Sequence, residues 1–345
     1  MEIIESTWES PSNIALVKYW GKRGLQLPAN PSISITLSDV VTRTQVVLKE
    51  KKTSEKWECS LYLDKKPKPE FLPKILAFFN KAAAAFPWLQ EYHIEINTHN
   101  NFPHGTGIAS SASSMSALAL CICDLDYSLK NIPFNPDALY NLASYWSRMG
   151  SGSACRSVYG GYVSWGEHPN LPMSSDEYAT PLSGYAPLFN QIHDAVLIID
   201  DTEKQVSSTQ GHQMLQHHPF ASSRYEQARN NTGKLVQALK SGNIAEMGAI
   251  VEEEALSLHA MMLTSNPGFF LIKPNTLLAI NEIQNFRNHH GIPVYFTLDA
   301  GPNIHLLYHN SDASSVEDWI QTKLKPLCKN QQILFNQVGN GPQKL

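Results

Sequence analysis

The chain changes its hydrophobic period partway along. Polar and apolar residues alternate at Ser32, Ile33, Ser34, Ile35, Thr36 and Leu37, and residues 44–48 and 92–98 are also strand-like. A spacing of two marks a half-buried strand, so the first quarter is predicted to be mainly sheet. Between these strands, residues 72–85 (LPKILAFFNKAAAA) predict a helix that stops before Pro87. The turn NNFPHGTGIA then runs into SSASSMSALALCICDL, small and apolar residues enough for a buried helix. Residues 150–165 (GSGSACRSVYGGYVSW) contain four glycines and end in an apolar run, a second tight loop that feeds a strand.

A polar, proline-containing stretch at 167–191 precedes an apolar strand at 195–199, and the lobe boundary is placed there, giving residues 1–190 and 191–345. Beyond it the period lengthens to that of helices, at 222–240, 244–263 and 277–287. Ser314 and Glu317 have the spacing of a capping box for a further helix reaching Leu327. Strands are predicted at 293–298, 304–308 and 333–338. The outline is an α+β protein of two lobes, each with helices backing a sheet.

Composition narrows the picture. With 345 residues, 42% of them hydrophobic and 17% charged, the chain can bury a sizeable core, which excludes a disordered tail or a small disulfide scaffold. Its net charge of -4 offers no overall field for a polyanion, so nucleic acid is not an expected partner. Cys59, Cys121, Cys123, Cys155 and Cys328 form an odd set without paired metal-ligand spacing, which predicts free thiols in a reducing compartment. No secretory signal pattern is visible, and no stretch approaches the roughly 18 apolar residues of a membrane span. The expectation is a cytoplasmic protein without a membrane partner.

Candidate chemistry sits in loops. In Pro103-His104-Gly105-Thr106-Gly107-Ile108-Ala109-Ser110-Ser111, glycines and hydroxyls meet a predicted helix start, where backbone N–H groups and the helix dipole favour phosphate. A plain helix cap explains the same residues locally. Arg156, inside GSGSACRS, can hold a carboxylate or phosphate by two parallel bonds, or can be a solvated Arg on a turn. Asp299 in LDAGPN ends an apolar strand, a place for a rigidly held catalytic group and equally for a turn. NIALVKYWGKR puts Lys18, Lys22 and Arg23 beside aromatics, or is simply an interfacial strand end. Cys121 and Cys123 are read as core packing, His217-His218 and His289-His290 as surface histidines, and Glu252-Glu253-Glu254 as a solvated helix face.

Taken in order, NIALVKYWGKR, NNFPHGTGIASSAS, GSGSACRSVYGGYVSW, VSSTQG at 206–211, LDAGPN and the terminal QVGNGPQ resemble the GHMP small-molecule kinases, and within them the branch that uses ATP to decarboxylate mevalonate 5-diphosphate. The likeness runs over nearly the whole chain. It implies a ribosomal-protein-S5-like N-terminal lobe and a ferredoxin-like C-terminal lobe with the active site in the cleft. It also implies ATP and Mg²⁺, phosphorylation of a tertiary hydroxyl followed by loss of phosphate and CO₂, and a homodimer.

By this resemblance Asp299 is the base at the hydroxyl, Lys18 stabilises the transferred phosphoryl group and Arg156 holds the substrate carboxylate. Asn13, Tyr19, Lys22, Ser151, Gly152, Ser153 and Ser208 surround the substrate. Pro103, Gly105, Gly107, Ser110 and Ser111 cradle the ATP phosphates, with Ser111 the candidate ligand for Mg²⁺.

This chain departs from the family at His104-Gly105-Thr106, usually Thr-Ala-Ala, at His212, usually Met, and at Lys74, the nearest counterpart of an Arg that reaches the diphosphate. These departures leave open a decarboxylase of mevalonate 5-phosphate. A 3-kinase that stops before decarboxylation is a further reading, opposed by Arg156, and a non-catalytic binding relative is opposed by Asp299 and Lys18.

Overall fold

The protein is described by a computed structural model that covers residues 4–102, 110–202, 208–215 and 217–345, with the backbone alone at 208–210. Pro103, His104, Gly105, Thr106 and Gly107, with Val206 and Ser207, lie outside the described residues, as does the side chain of Ser208.

The first sheet is built around two long strands, β1 (Ile4–Val17) and β2 (Ser32–Glu50). With β3 (Glu58–Leu63), β4 (Tyr92–Asn100) and β10 (Gln343–Lys344) they lie in the order β10-β1-β2-β4-β3, and β5 (Tyr162–Trp165) also pairs with β2. All these pairings are antiparallel except the parallel β3 and β4. Two predicted strands are therefore halves of one, β2. Near its middle the pairing with β1 jumps from Pro11↔Val41 to Asn13↔Thr36, and the second lobe covers the gap through a Leu37↔Val338 bridge.

Over Ser32 to Leu37 both faces of β2 are buried, so the polar side of the alternation meets protein rather than water. Ile33 and Ile35 pack with Val196, Leu235 and Met247 of the second lobe. Ser32 and Thr36, on the other face, accept or donate hydrogen bonds to the 150–165 loop.

α1 (Leu72–Ala82), α2 (Ser110–Leu129) and α3 (Pro136–Gly150) cover this sheet. Cys121 and Cys123 are fully buried in α2, as packing requires.

The second sheet has the order β7 (Val294–Thr297), β8 (Ile304–His309), β6 (Ile192–Leu197), β9 (Ile333–Gln337), antiparallel throughout. α4 (Ser208–Leu215), α5 (Ala221–Ser241), α6 (Ile244–Leu263), α7 (Pro274–His290) and α8 (Ala313–Trp319) complete the lobe.

The capping box at Ser314 does not form. α8 begins one residue earlier, and Glu317 accepts a hydrogen bond from Tyr308 Oη at 3.1 Å. A π turn over Ile320–Leu324 and a 3-10 turn over Lys325–Leu327 replace the predicted helix end, where Pro326 lacks the N–H to continue it.

The two lobes close on each other through main chain. Gly161 N–H donates to Gly339 O at 2.8 Å, and Gly339 N–H donates to Thr36 O at 2.9 Å. A Cβ on Gly160 would meet the Asn340 carbonyl carbon at 2.4 Å, which is why the terminal QVGNGPQ and the 160–161 pair are glycine-bearing.

Candidate active site

Two irregularities in β1 build one wall of the site. The register against β2 shifts between Pro11 and Asn13 and again between Ala15 and Val17. Such bulges re-aim neighbouring side chains. Asn13 follows the first, and Lys18 emerges just past the second.

Lys18 Nζ donates to Ala15 O at 2.6 Å and to Asp299 Oδ1 at 3.1 Å. Burial depresses the pKa of this ammonium, while Asp299 and Glu254 push back and Arg156 adds to the depression. Asp299 enters from the other lobe, beyond the end of β7. Its main chain makes a tight turn in which Gly301 N–H donates to Asp299 O at 2.7 Å.

Arg156 lies in a 3-10 segment, Gly152–Val158, that follows α3. Its Nη1 donates to Ser32 Oγ at 2.5 Å, and its Nε and Nη2 donate to Asn13 Oδ1 at 3.4 and 3.3 Å. Asn13 is fixed in turn by donating to Ser157 Oγ at 2.8 Å and to Ser153 O at 3.3 Å. Arg156 is 2% exposed and makes no ion pair among the described residues, although Asp299 lies within its electrostatic reach. Its pKa is lowered by burial first of all. A buried cation held only by neutral acceptors is arranged to receive an anion.

Tyr19 presents a second unmet group. Its ring lies 4.5 Å from that of Trp165, and its buried hydroxyl has no hydrogen-bond partner among the described residues. A Cβ on Gly152 would come within 2.8 Å of that hydroxyl, so the tyrosine reaches the loop because residue 152 is glycine. Burial pushes the phenol well above its ordinary range.

Lys22 joins this side with an amine depressed by burial and by Lys81 and Lys74. The ring of His212 lies 4.5 Å from that of Tyr19 and 4.7 Å from that of Trp20, and its Nδ1 accepts Gly21 N–H at 2.9 Å.

The start of α2 lines a half-open cleft. Leu61, Phe71, Ile75 and Ile96 give it apolar walls, and Ser110, Ser111 and Lys74 lie at its polar end. Lys74 remains exposed there, and desolvation lowers its amine. Ser111 Oγ is 3.5 Å from Ser151 Oγ, so this cavity adjoins the loop that carries Arg156.

An apolar slot for a flat base beside the N-terminus of a 20-residue helix fits a nucleoside triphosphate. No cluster of three or more His, Cys, Asp or Glu suited to a metal occurs among the described residues. The Ser111 hydroxyl at the polar end of this cleft is a group that could serve as a single ligand to Mg²⁺.

Two readings of the sequence need correction. Within Glu252-Glu253-Glu254 only Glu253 is exposed. Glu252 accepts from Arg287 at 2.7 Å, and Glu254 is fully buried against Arg224, because α6 lies between α5 and β7 and has no broad solvated face. His218 is likewise buried, with Nε2 3.1 Å from Thr264 Oγ1, whereas His217, His289 and His290 are exposed. Cys155, by contrast, is the buried packing group that the resemblance implies, its thiol pushed up to about 12 by burial despite its neighbour Arg156.

The sequence matches the family Diphosphomevalonate decarboxylase-like N-terminal domain over residues 10–179 and Mevalonate 5-diphosphate decarboxylase C-terminal domain over residues 195–345. It is 30% identical to the diphosphomevalonate decarboxylase of Debaryomyces hansenii, with 99% of this chain and 95% of that protein covered. The fold is similar to that of mevalonate diphosphate decarboxylase from Staphylococcus aureus, with 28% identity, a TM-score of 0.84, and 100% and 98% of the two chains covered. It is equally similar to MDDEF in complex with MVAPP, AMPPCP and magnesium, at 27% identity and a TM-score of 0.84 over 100% and 99% of the chains. Among the described residues no helix is long and apolar enough to cross a membrane.

Proposed function

The chain belongs to the diphosphomevalonate decarboxylase family, and from that premise we propose that it converts mevalonate 5-diphosphate and ATP into isopentenyl diphosphate, ADP, phosphate and CO₂, with Mg²⁺. The observation that carries this reading is the buried Lys18 ammonium paired with the partly exposed Asp299 carboxylate, beside a buried Arg156 that makes no ion pair among the described residues.

ATP supplies the phosphoryl group that turns a tertiary hydroxyl, a poor leaving group, into a phosphate ester that can depart. The residues divide the remaining tasks. Asp299 accepts the hydroxyl proton and orients the oxygen, as carboxylates do in phosphoryl transfer. Lys18 stands within 3.1 Å of that carboxylate and stabilises the negative charge gathered beside it. Arg156 grips the substrate carboxylate until the carbon–carbon bond breaks, its electron pair forming the double bond as phosphate leaves. The planar fork suits this grip better than an ammonium.

Asn13 holds Arg156, while Tyr19, Lys22, Ser151, Gly152, Ser153 and Ser208 form the rest of the substrate site. Pro103, Gly105, Gly107, Ser110 and Ser111 hold the ATP phosphates, and the Ser111 hydroxyl reaches Mg²⁺. The lobe boundary at 190/191 belongs to the same reading. So do a cytoplasmic location, in keeping with five free cysteines, and a homodimer, which light scattering would test.

The test is release of ADP and CO₂ from ATP, Mg²⁺ and either mevalonate 5-diphosphate or mevalonate 5-phosphate. Equimolar ADP and CO₂ with the diphosphate is the expected result. Preference for the monophosphate would replace the substrate, ADP without CO₂ would make the protein a kinase, and silence with both would overturn the reading.

A further inference from the structure

Both members of the Lys18–Asp299 pair are held by their main chains as well as by each other, and both holds come from α6. Lys18 N–H donates to Glu254 Oε2 at 2.9 Å. That carboxylate has no solvent exposure and also accepts Arg224 Nη1 at 3.1 Å, Arg224 Nη2 and Asn231 Nδ2 at 2.9 Å. Five residues further along the same helix, His259 lies with Nε2 3.1 Å from Asp299 O, the oxygen that also accepts Gly301 N–H. Because that oxygen can only accept, His259 carries its proton on Nε2. His259 is 5% exposed.

We propose that Glu254 and His259 are positioning residues, and that α6 fixes the separation of the Lys18 ammonium and the Asp299 carboxylate by gripping the main chain on either side of the cleft. This rests on the decarboxylase reading for its kinetic consequence, but the geometry belongs to the ligand-free chain. The two grips lie about 7.5 Å apart along the helix at 1.5 Å per residue. A continuous helix of 20 residues is a stiffer ruler between two lobes than the turn at 299–301 or the bulged end of β1.

The charge of Glu254 has a use that packing alone would not require. A buried ion pair is commonly replaceable by apolar residues without loss of stability. Glu254, however, is one of the charges that act on Lys18, with Asp299 on the same side of the balance and Arg156 opposing. Its carboxylate therefore helps to keep the sealed ammonium protonated while it holds the backbone N–H beneath it.

The experiment compares the full-length wild type with Glu254→Gln, His259→Ala and His259→Gln. Protein labelled with [ε-¹³C]lysine is titrated without ligand by NMR, and kcat and KM are measured with ATP, Mg²⁺ and mevalonate 5-diphosphate. Glu254→Gln is expected to move the Lys18 titration to lower pH, carrying the basic limb of the kcat profile with it. It should also lower kcat by about 10- to 100-fold with KM changed less than about threefold, the signature of small misplacement.

His259→Ala should lower kcat by about tenfold. His259→Gln, whose amide can donate to the Asp299 carbonyl, should recover most of that loss. A folded Glu254→Gln protein with the wild-type Lys18 titration and kcat would overturn the proposal. So would equal kcat in the two His259 variants, and this comparison decides if Glu254→Gln does not fold. A wild type without turnover would overturn the decarboxylase reading, and the ligand-free Lys18 titration would then decide the positioning proposal by itself.

Discussion

Lys18 Nζ and Asp299 Oδ1 stand 3.1 Å apart although 281 residues separate them in the chain. The partners are unequal. The lysine side chain is 2% exposed and the aspartate 31%, so a ligand entering the cleft meets the carboxylate first, with the ammonium sealed behind it. That order suits a base which must touch a hydroxyl proton and a cation which must act at short range in a poorly solvated setting.

Asp299→Asn keeps the shape of this side chain and removes its charge. Turnover is expected to fall by about 10²- to 10⁴-fold, the usual contribution of a positioned base. ATP and substrate should still bind with nearly unchanged Kd, as read by calorimetry, because the nucleotide cavity and Arg156 are untouched. Near-wild-type turnover would remove Asp299 from the base role.

Arg156→Lys retains a positive charge but cannot reproduce the bonds to both Ser32 and Asn13 while presenting a second edge to a carboxylate. Loss of a charge-assisted bond of about 1.5–3 kcal/mol corresponds to roughly a 10- to 100-fold drop in kcat/KM. ADP and CO₂ release should fall together. Unchanged kinetics would take the substrate carboxylate away from Arg156.

How much of this was legible depends on whether the deciding contact is local. The alternation at Ser32 to Leu37 announces a strand. That its polar face is buried is not written there, because what covers it is the loop of Arg156 from more than 100 residues away. No helix is predicted at 136–150, although α3 carries its own start signal, with Asn135 Oδ1 accepting Ala138 N–H and Pro136 in the first turn. The Arg156 loop stands out because its glycines serve a local backbone purpose, Gly152 against Tyr19 and Gly160 against Asn340.

Glu254 and His259 have no such mark. A run of three acids on a helix reads as a solvated face unless one knows that Arg224, Asn231 and the Lys18 backbone lie against it. Those partners come from α5 and from the end of β1, 23 to 236 residues away, so no local pattern marks the two residues.

Gly152→Ala tests the contact between the two substrate loops. Its Cβ would lie 2.8 Å from Tyr19 Oη and 3.0 Å from Trp165 Cη2, closer than side chains tolerate. Tyr19 must swing away, since Trp165 is fully buried and cannot. The expected result is a several-fold higher KM for mevalonate 5-diphosphate with an unaltered KM for ATP, measured by ADP release. An unchanged substrate KM would show that the Tyr19 hydroxyl does not contact the substrate.

His212 makes the fold sensitive to acid. Its Nδ1 accepts the Gly21 N–H, so the ring is held as the neutral tautomer with the proton on Nε2. Burial, with Lys22 adding to it, pushes the pKa from 6.5 down to about 3. Between those two values the unfolded chain binds a proton that the folded chain refuses. The stabilising effect is therefore complete above pH 6.5 and is lost as the pH falls, at about 1.4 kcal/mol per pH unit. At pH 5 the loss from this one group is about 2 kcal/mol. His212→Met, which places the usual family residue here, removes the titration while filling similar volume. Urea midpoints at pH 7.5 and pH 5.0 should fall further for the wild type than for the variant, by an amount equivalent to those 2 kcal/mol. Equal losses in the two proteins would mean that His212 can take up a proton without unfolding, and so that its contacts with Tyr19, Trp20 and Gly21 do not seal it.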